Sequence, residues 1–321
     1  MEHLHDLILA EGRLRAIEMG AARRPVVEAA AAFMADESHE ASCVLSAWCL
    51  VALPHRRLPP DAEWRVENGP AVLLIEPGRL LRPGRPDEFA GVPYGAIARL
   101  ILIFLQREAV RTGSRAVELG GSMRRWLGML GVSVGGKTMA LVREQTRRIS
   151  TCRFTLQMRV SGSAVAVKNA AFVDEAVLFD MDAGDDRQPT LFPECVRLSE
   201  TFYNQLRDHP VPLDEAALRQ LRRSSMALDA YLWLAYRLRG LRGPTRISWP
   251  ALRQQFGGGG YEQMKTFRQQ FREALEMALA VYPDAARHSV RIVEDGLLLA
   301  PADPPVAPRS GGMARTGRLA S

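Results

Sequence analysis

The chain has 321 residues, 47% of them hydrophobic, with four cysteines and a formal net charge of +6, a length that suits about two domains. Cys43, Cys49, Cys152 and Cys195 show no C-x-x-C spacing and the six histidines do not cluster with them, which argues against a metal site and fits reduced thiols in the cytoplasm. The longest apolar run, AIARLILIFL, contains Arg99 and is about half a membrane span, and the N-terminus MEHLHDLILAEGRLR lacks a basic region followed by an apolar core, so neither a membrane partner nor a signal peptide is expected.

The charge is segregated. Residues 94–160 hold twelve Lys/Arg against three Asp/Glu, and residues 219–291 hold thirteen against five, leaving −11 for the rest. Two basic modules in an acidic frame suggest an anionic partner, nucleic acid before an acidic membrane surface.

In chain order, residues 1–92 mix helical stretches with a hairpin, EWRVENGPAVLLIEPG, turning at Asn68-Gly69. The segment PYGAIARLILIFLQREAVRTG reads as a long buried helix with Pro93 in its first turn and Gly113 at its end. AVEL is a short strand. In SMRRWLGMLG, Ser122 is the expected N-cap, and Met123, Trp126, Leu127 and Leu130 share one helical face.

The next stretch, GVSVGGKT from Gly131 to Thr138, spells the P-loop G-x-x-x-x-G-K-[ST]. A P-loop needs a buried strand before its glycines. Here the preceding residues include Arg124-Arg125 and repeat with a helical period, so the glycines read as a turn between two helices. The helix that follows, KTMALVREQTRRIS, turns Thr138, Leu141, Val142, Gln145, Ile149 and Cys152 to one face at about 100° per residue. Arg143 and Arg147 fall opposite, flanked by Lys137 and Arg148. CRFTLQMRV and SAVAVKNAAFVDEAVLFD then read as paired strands turning at Ser161-Gly162. Helix, strand, helix, turn, helix and hairpin is the order of a winged helix-turn-helix.

The same order returns further on. SSMALDAYLWLAYRLRG is an apolar helix with Asp229 and its arginines toward a polar side, RIS a strand, WPALRQQF a helix with Pro250 in its first turn, and Gly257 to Gly260 a turn. In GYEQMKTFRQQFREALEMALAVYP, Met264, Phe267, Phe271, Ala274, Leu275 and Ala278 face inward, Lys265, Thr266, Gln269 and Arg272 outward, with Arg268 on the flank. HSVRIVEDGLLLAPA supplies a hairpin around Asp295-Gly296. A shift of 130 residues lays Val117 on Ile247 and Trp126 on Phe256. The fold class expected is α+β with tandem winged helix-turn-helix domains. The boundaries read as an N-terminal region 1–92, a first winged helix 93–180, a linker 181–194, a second winged helix 195–300 and a disordered tail 301–321.

The second helix of such a motif lies in the major groove, its N-terminal residues near base edges. The candidate DNA-binding residues are therefore Lys137, Arg143, Arg147 and Arg148 in the first module and Lys265, Arg268, Gln269 and Arg272 in the second, since Arg and Gln can read G and A through paired hydrogen bonds. A solvated basic face is the alternative for any one of them. Asp180, ending the apolar run EAVLFD, is the one residue placed as a Walker B acid would be. No catalytic constellation, cofactor motif or metal cluster stands out, and His55 in LPHRRLP reads as structural or a polar surface contact.

LPHRRLP, the hairpin from Trp64 to Gly69, GVPYGAIARLILIFLQREAV, LGGSMRRWLGMLG with its following Gly-Gly turn, and ALDAYLWLAYRL together resemble the plasmid-encoded RepA replication proteins, over roughly residues 23 to 300. The resemblance implies a non-enzymatic initiator of plasmid replication and control of copy number. It implies binding to double-stranded DNA at origin repeats and recruitment of the host replication initiator and helicase. In similar initiators an N-terminal region can serve dimerisation, which makes a homodimer one candidate state. The glycine turn and the basic helix after it match the family's general pattern, whereas Lys137-Thr138 is incidental to it. A transcriptional repressor built from the same domains and a P-loop NTPase using Gly131 to Thr138 are the alternatives.

Overall fold

The computed structural model describes residues 4–69, 71–81, 84, 86–133, 135–161, 164–176, 195–258, 260–282 and 288–306. The chain forms two compact units, one from residues 51–207 and one from residues 1–50 together with 208–321.

In the unit 51–207 the central helix is α4 (Gly95–Thr112), buried along most of its length and stopped by Gly113 in the left-handed region at φ 65°, which glycine adopts without a Cβ penalty. Pro93 lies before the first turn, since Tyr94 is the N-cap. Next come β6 (Ala116–Glu118), α5 (Gly120–Met129) and α6 (Gly136–Thr151). Met123, Trp126, Leu127 and Leu130 are all buried. Ser122 is not the cap: α5 starts earlier, and the Ser122 hydroxyl donates back to the Glu118 carbonyl at 2.6 Å.

Two later strands, β9 (Val173–Ala176) and β10 (Cys195–Leu198), complete a sheet of order β6-β10-β9, all antiparallel. This is the sheet of a winged helix, and it relocates the wing. Residues 181–194, expected as a linker between modules, lie outside the described residues. The tail 301–321 is described only as far as residue 306.

The expected hairpin is present as β7 (Arg153–Ser161) and β8 (Ala164–Ala171), but it is inserted between α6 and the wing. Its β7 pairs with β3 (Ala71–Glu76), which pairs with β2 (Trp64–Asn68), giving a four-stranded antiparallel sheet. The Asn68-Gly69 turn between β2 and β3 has Gly69 at φ 54°. Strands β2 and β3 alternate buried and more exposed residues, Trp64, Val66, Leu73 and Ile75 facing in.

In the other unit, α9 (Ser225–Gly240) is capped by the Ser224 hydroxyl, which accepts from the Ala227 amide. It leads to β12 (Thr245–Ser248), α10 (Trp249–Phe256), α11 (Met264–Ala280), β13 (Val290–Val293) and β14 (Gly296–Leu299), with sheet order β12-β14-β13. First, third, second strand is the same order as in the other unit. Val117 pairs with Val196, and Ile247 with Leu297. Trp126 lies 5.4 Å from Phe104 of α4, and Phe256 lies 5.5 Å from Trp233 of α9. Asp229 does not face solvent: it is buried in α9 among core residues.

Residues 1–92 do not form one region. The helices α1 (Leu4–Glu18) and α2 (Arg24–Met34), the strand β1 (Ala41–Leu45) and the short α3 (Ala47–Leu50) belong with the second winged helix, whereas β2 and β3 belong with the first. β1 pairs antiparallel with β11 (Pro210–Asp214), and the His5 ring nitrogen Nε2 is 2.8 Å from the Ala280 carbonyl at the end of α11. β10 and α7 (Glu200–Asp208) lie beyond residue 194, yet β10 closes the first winged helix and Phe202 of α7 packs on Phe172 at 4.2 Å.

Candidate nucleic-acid interface

The glycine segment joins α5 to α6. Gly131 has φ 71°, and its amide donates to the Gly128 carbonyl while that of Val132 donates to Leu127, which stops α5. Helix α6 then begins at Gly136 with Gly135 as N-cap. A helix, and no strand, precedes Gly131, so the P-loop spelling lacks the element that would aim its amides at a nucleotide. Asp180 lies outside the described residues.

Met139, Val142, Gln145, Thr146 and Ile149 bury one face of α6, while Thr138 and Leu141 are only half-buried. Gln145 is held by its Oε1, which accepts from the Tyr94 amide at 2.9 Å. On the outer side Lys137 is exposed in the first turn, and Arg143 and Arg147 are half-buried further along. Amides and a lysine at a helix N-terminus favour an anion there. Arg148 departs from the expected set. It is 2% exposed, donates to Glu144 and to the Val92 carbonyl, and stands over the Tyr94 ring at 5.1 Å. The helical period puts residue 148 one turn from the buried Gln145; basic character alone did not reveal that.

Helix α11 is seated by a run of rings. Phe267 and Phe271 stack at 5.5 Å, and Phe271 meets Phe256 at 5.0 Å and Trp249 at 6.5 Å. The turn before it is closed by Tyr261, whose ring contacts Phe267 and whose hydroxyl donates to Gln270 Oε1 at 2.7 Å. Lys265, Gln269 and Arg272 are exposed and Arg268 is half-buried. The Arg268 and Arg272 guanidinium carbons lie 5.6 and 5.2 Å from the centre of the Trp249 ring, within range of cation–π attraction. Trp249 is thus a platform for two of the candidate residues, held by its own Nε1–H donating to the Glu294 carbonyl at 3.0 Å. Sequence reasoning took it only as the start of a helix; its spacing to Arg268 and Arg272 becomes a contact only when α10 crosses α11.

The two halves of α11 differ in charge. Lys265, Arg268 and Arg272 occupy the N-terminal half. Glu273 and Glu276 follow, and Arg23, the N-cap of α2, pairs with both at 3.1 and 3.0 Å. Gln269 Nε2 also reaches Glu273, at 3.4 Å. The carboxylates are drawn toward Arg23, which leaves the positive half as the one able to meet an anion.

Among the described residues no helix is long and apolar enough to cross a membrane, and no group of three or more His, Cys, Asp and Glu is arranged to hold a metal.

These elements define a tandem winged-helix protein. Residues 92–250 match the family model described as plasmid encoded RepA protein. Two crystal structures of RctB are similar at 12% identity. One, of selenomethionine derivatives of domains 2 and 3, covers 81% of this chain and 99% of that chain with a TM-score of 0.49. The other, of RctB domains 2-3 (155-483), covers 77% and 84% with a TM-score of 0.46. No curated protein matches the chain.

Proposed function

We propose that this protein initiates plasmid replication by binding double-stranded DNA at repeated origin sites through α6 and α11, and by bringing the host replication initiator and helicase to that origin. It acts by binding alone, with no cofactor and no catalysis of its own. The observation that carries the reading is the duplicated winged helix, in which each third helix presents cations outward: Lys137, Arg143 and Arg147 on α6, and Lys265, Arg268 and Arg272 on α11. The match of residues 92–250 to the family model described as plasmid encoded RepA protein supports the role at a plasmid origin.

The test is a binding titration of the full chain against DNA from its own replicon at several salt concentrations. Each phosphate neutralised contributes roughly −0.9 to the slope of log affinity against log salt, so a steep negative slope is expected, with binding at direct repeats. Affinity insensitive to salt would sink the reading. Binding confined to one inverted repeat at the promoter would favour repression instead.

A further inference from the structure

The segment LPHRRLP, Leu53 to Pro59, carries two arginines that α6 and α11 leave unused. A buried cation holds the loop. Arg99 of α4, 4% exposed, donates through Nη2 to the Leu53 carbonyl at 2.6 Å and through Nη1 to the Pro54 carbonyl at 3.2 Å and the Gly95 carbonyl at 2.9 Å. The Gly95 amide donates in turn to the Pro54 carbonyl at 2.9 Å. Burying a guanidinium costs free energy unless its donors are satisfied, and here they are satisfied by fastening this loop to the first turn of α4. Pro54, Pro59 and Pro60 further restrict the backbone.

The loop is also beside α6. Arg56 and Arg57 are exposed, and Arg57 Nη2 lies 3.8 Å from Glu144 Oε1. Glu144 shares its helix face with Arg147, three residues on, so Arg57 borders the outward side that carries Arg143 and Arg147. Glu144 is the one acid within α6, and Arg148 donates to the same Oε1 at 2.6 Å. Flanked by two cations, that carboxylate does not oppose a phosphate at this edge.

We propose that Arg56 and Arg57 form a phosphate-contacting element on the flank of α6, gripping the DNA backbone beside the groove that α6 enters. This rests on the reading of α6 as a DNA-facing helix. Guanidinium forks suit phosphate oxygens, and a loop fixed before binding loses little entropy on contact. Such contacts hold register and carry no base sequence, so DNA of any sequence reports them.

The experiment is fluorescence anisotropy of the full chain on a labelled mixed-sequence duplex of roughly 30 base pairs, about three turns of helix, across a range of NaCl. Wild type, R56A/R57A, R56K/R57K and R143A are compared. The double alanine variant is expected to bind more weakly and to lose about 1.8 from the magnitude of the salt slope, about 0.9 per phosphate; the double lysine variant keeps most of it. Should R56A/R57A be unstable, the single Arg56→Gln, expected to lose about 0.9, carries the test. A wild-type slope in the loop variants together with a reduced slope in R143A overturns the loop assignment and leaves the DNA reading standing. A wild-type slope near zero overturns both.

Discussion

Arg148 and Glu144 form a closed pair inside α6: the guanidinium donates to one carboxylate oxygen through Nε at 3.1 Å and Nη2 at 2.6 Å, while its Nη1 donates to the Val92 carbonyl at 2.9 Å. The pair ties α6 to the segment preceding α4. Gly91, at φ 79°, sits so close to the Arg148 guanidinium that a Cβ there would overlap it.

Arg148→Ala is therefore expected to cost on the order of 2 kcal/mol of stability, because it removes a buried donor whose charged hydrogen bonds hold Glu144 and the Val92 carbonyl. Arg143→Ala, on the outer side of the same helix, should stay within about 0.5 kcal/mol of wild type and weaken DNA binding. Urea unfolding beside the binding titration separates the two. Equal stability of Arg148→Ala and wild type would mean that the pair is not the anchor described.

Arg272 stands over Trp249 and faces outward from α11. Arg272→Ala should remove about 0.9 from the salt slope, as loss of one phosphate contact does, and Arg272→Lys should restore most of it, because the charge persists. A lysine variant as deficient in slope as the alanine variant would point away from phosphate contact at this position.

Gly296 opens β14 at the point where it pairs with both Ser248 of β12 and Val293 of β13. A Cβ at this position would overlap the Ile247 carbonyl. Gly296→Ala is predicted to cost about 1–3 kcal/mol, the range for overpacking, read as a lowered denaturation midpoint. A midpoint unchanged from wild type would show that the two strands can move apart freely.

Glu108 lies between Arg107 and Arg111. Burial pushes its carboxyl up, but the hydrogen bond from Arg111 and the charges of Arg107 and Arg111 outweigh burial and leave it below the ordinary range. A carboxyl with a folded pKa below its unfolded one stabilises fully above the unfolded value, about 4.3 for Glu, and loses that contribution as pH falls through the folded value. Glu108→Gln should thus lower stability by on the order of 2 kcal/mol at pH 7 and by much less near pH 3. A deficit that does not change with pH would count against the ion-pair account.

Cys43, Cys49 and Cys152 are buried, whereas Cys195 is half-buried. Desolvation pushes the Cys152 thiol up to about 12 and raises that of Cys49 well above its ordinary value, so neither supplies thiolate at neutral pH. Titration with a thiol reagent should modify Cys195 first and the other three only in denaturant. Rapid modification of Cys152 in the native protein would contradict its burial at the end of α6.

What the sequence determined by itself was local and periodic. The faces of α5 and α11, the helix from Gly95 to Gly113, the hairpin at Asn68-Gly69 and the repeat that aligns Trp126 with Phe256 in sequence all follow from the order and spacing of residue types. The chemistry is written there too, because apolar residues at helical intervals must be buried and glycine is needed where φ is positive. The cationic character of α6 and α11 was legible for the same reason.

The tertiary structure decided what depends on pairing between distant residues. Strand pairing joins Val196 to Val117, which brings β10 into the sheet of the first winged helix, and pairs Leu156 with Leu73, which draws an apparent wing hairpin into another sheet. A strand carries no mark of its partner beyond alternation. Tertiary packing is also what separates Arg148 from Arg143 and Arg147: three arginines of similar spacing are alike as letters, and only the segment around Val92 and Tyr94, packed over one of them, makes it a buried structural cation while the other two stay half-buried on the outer side.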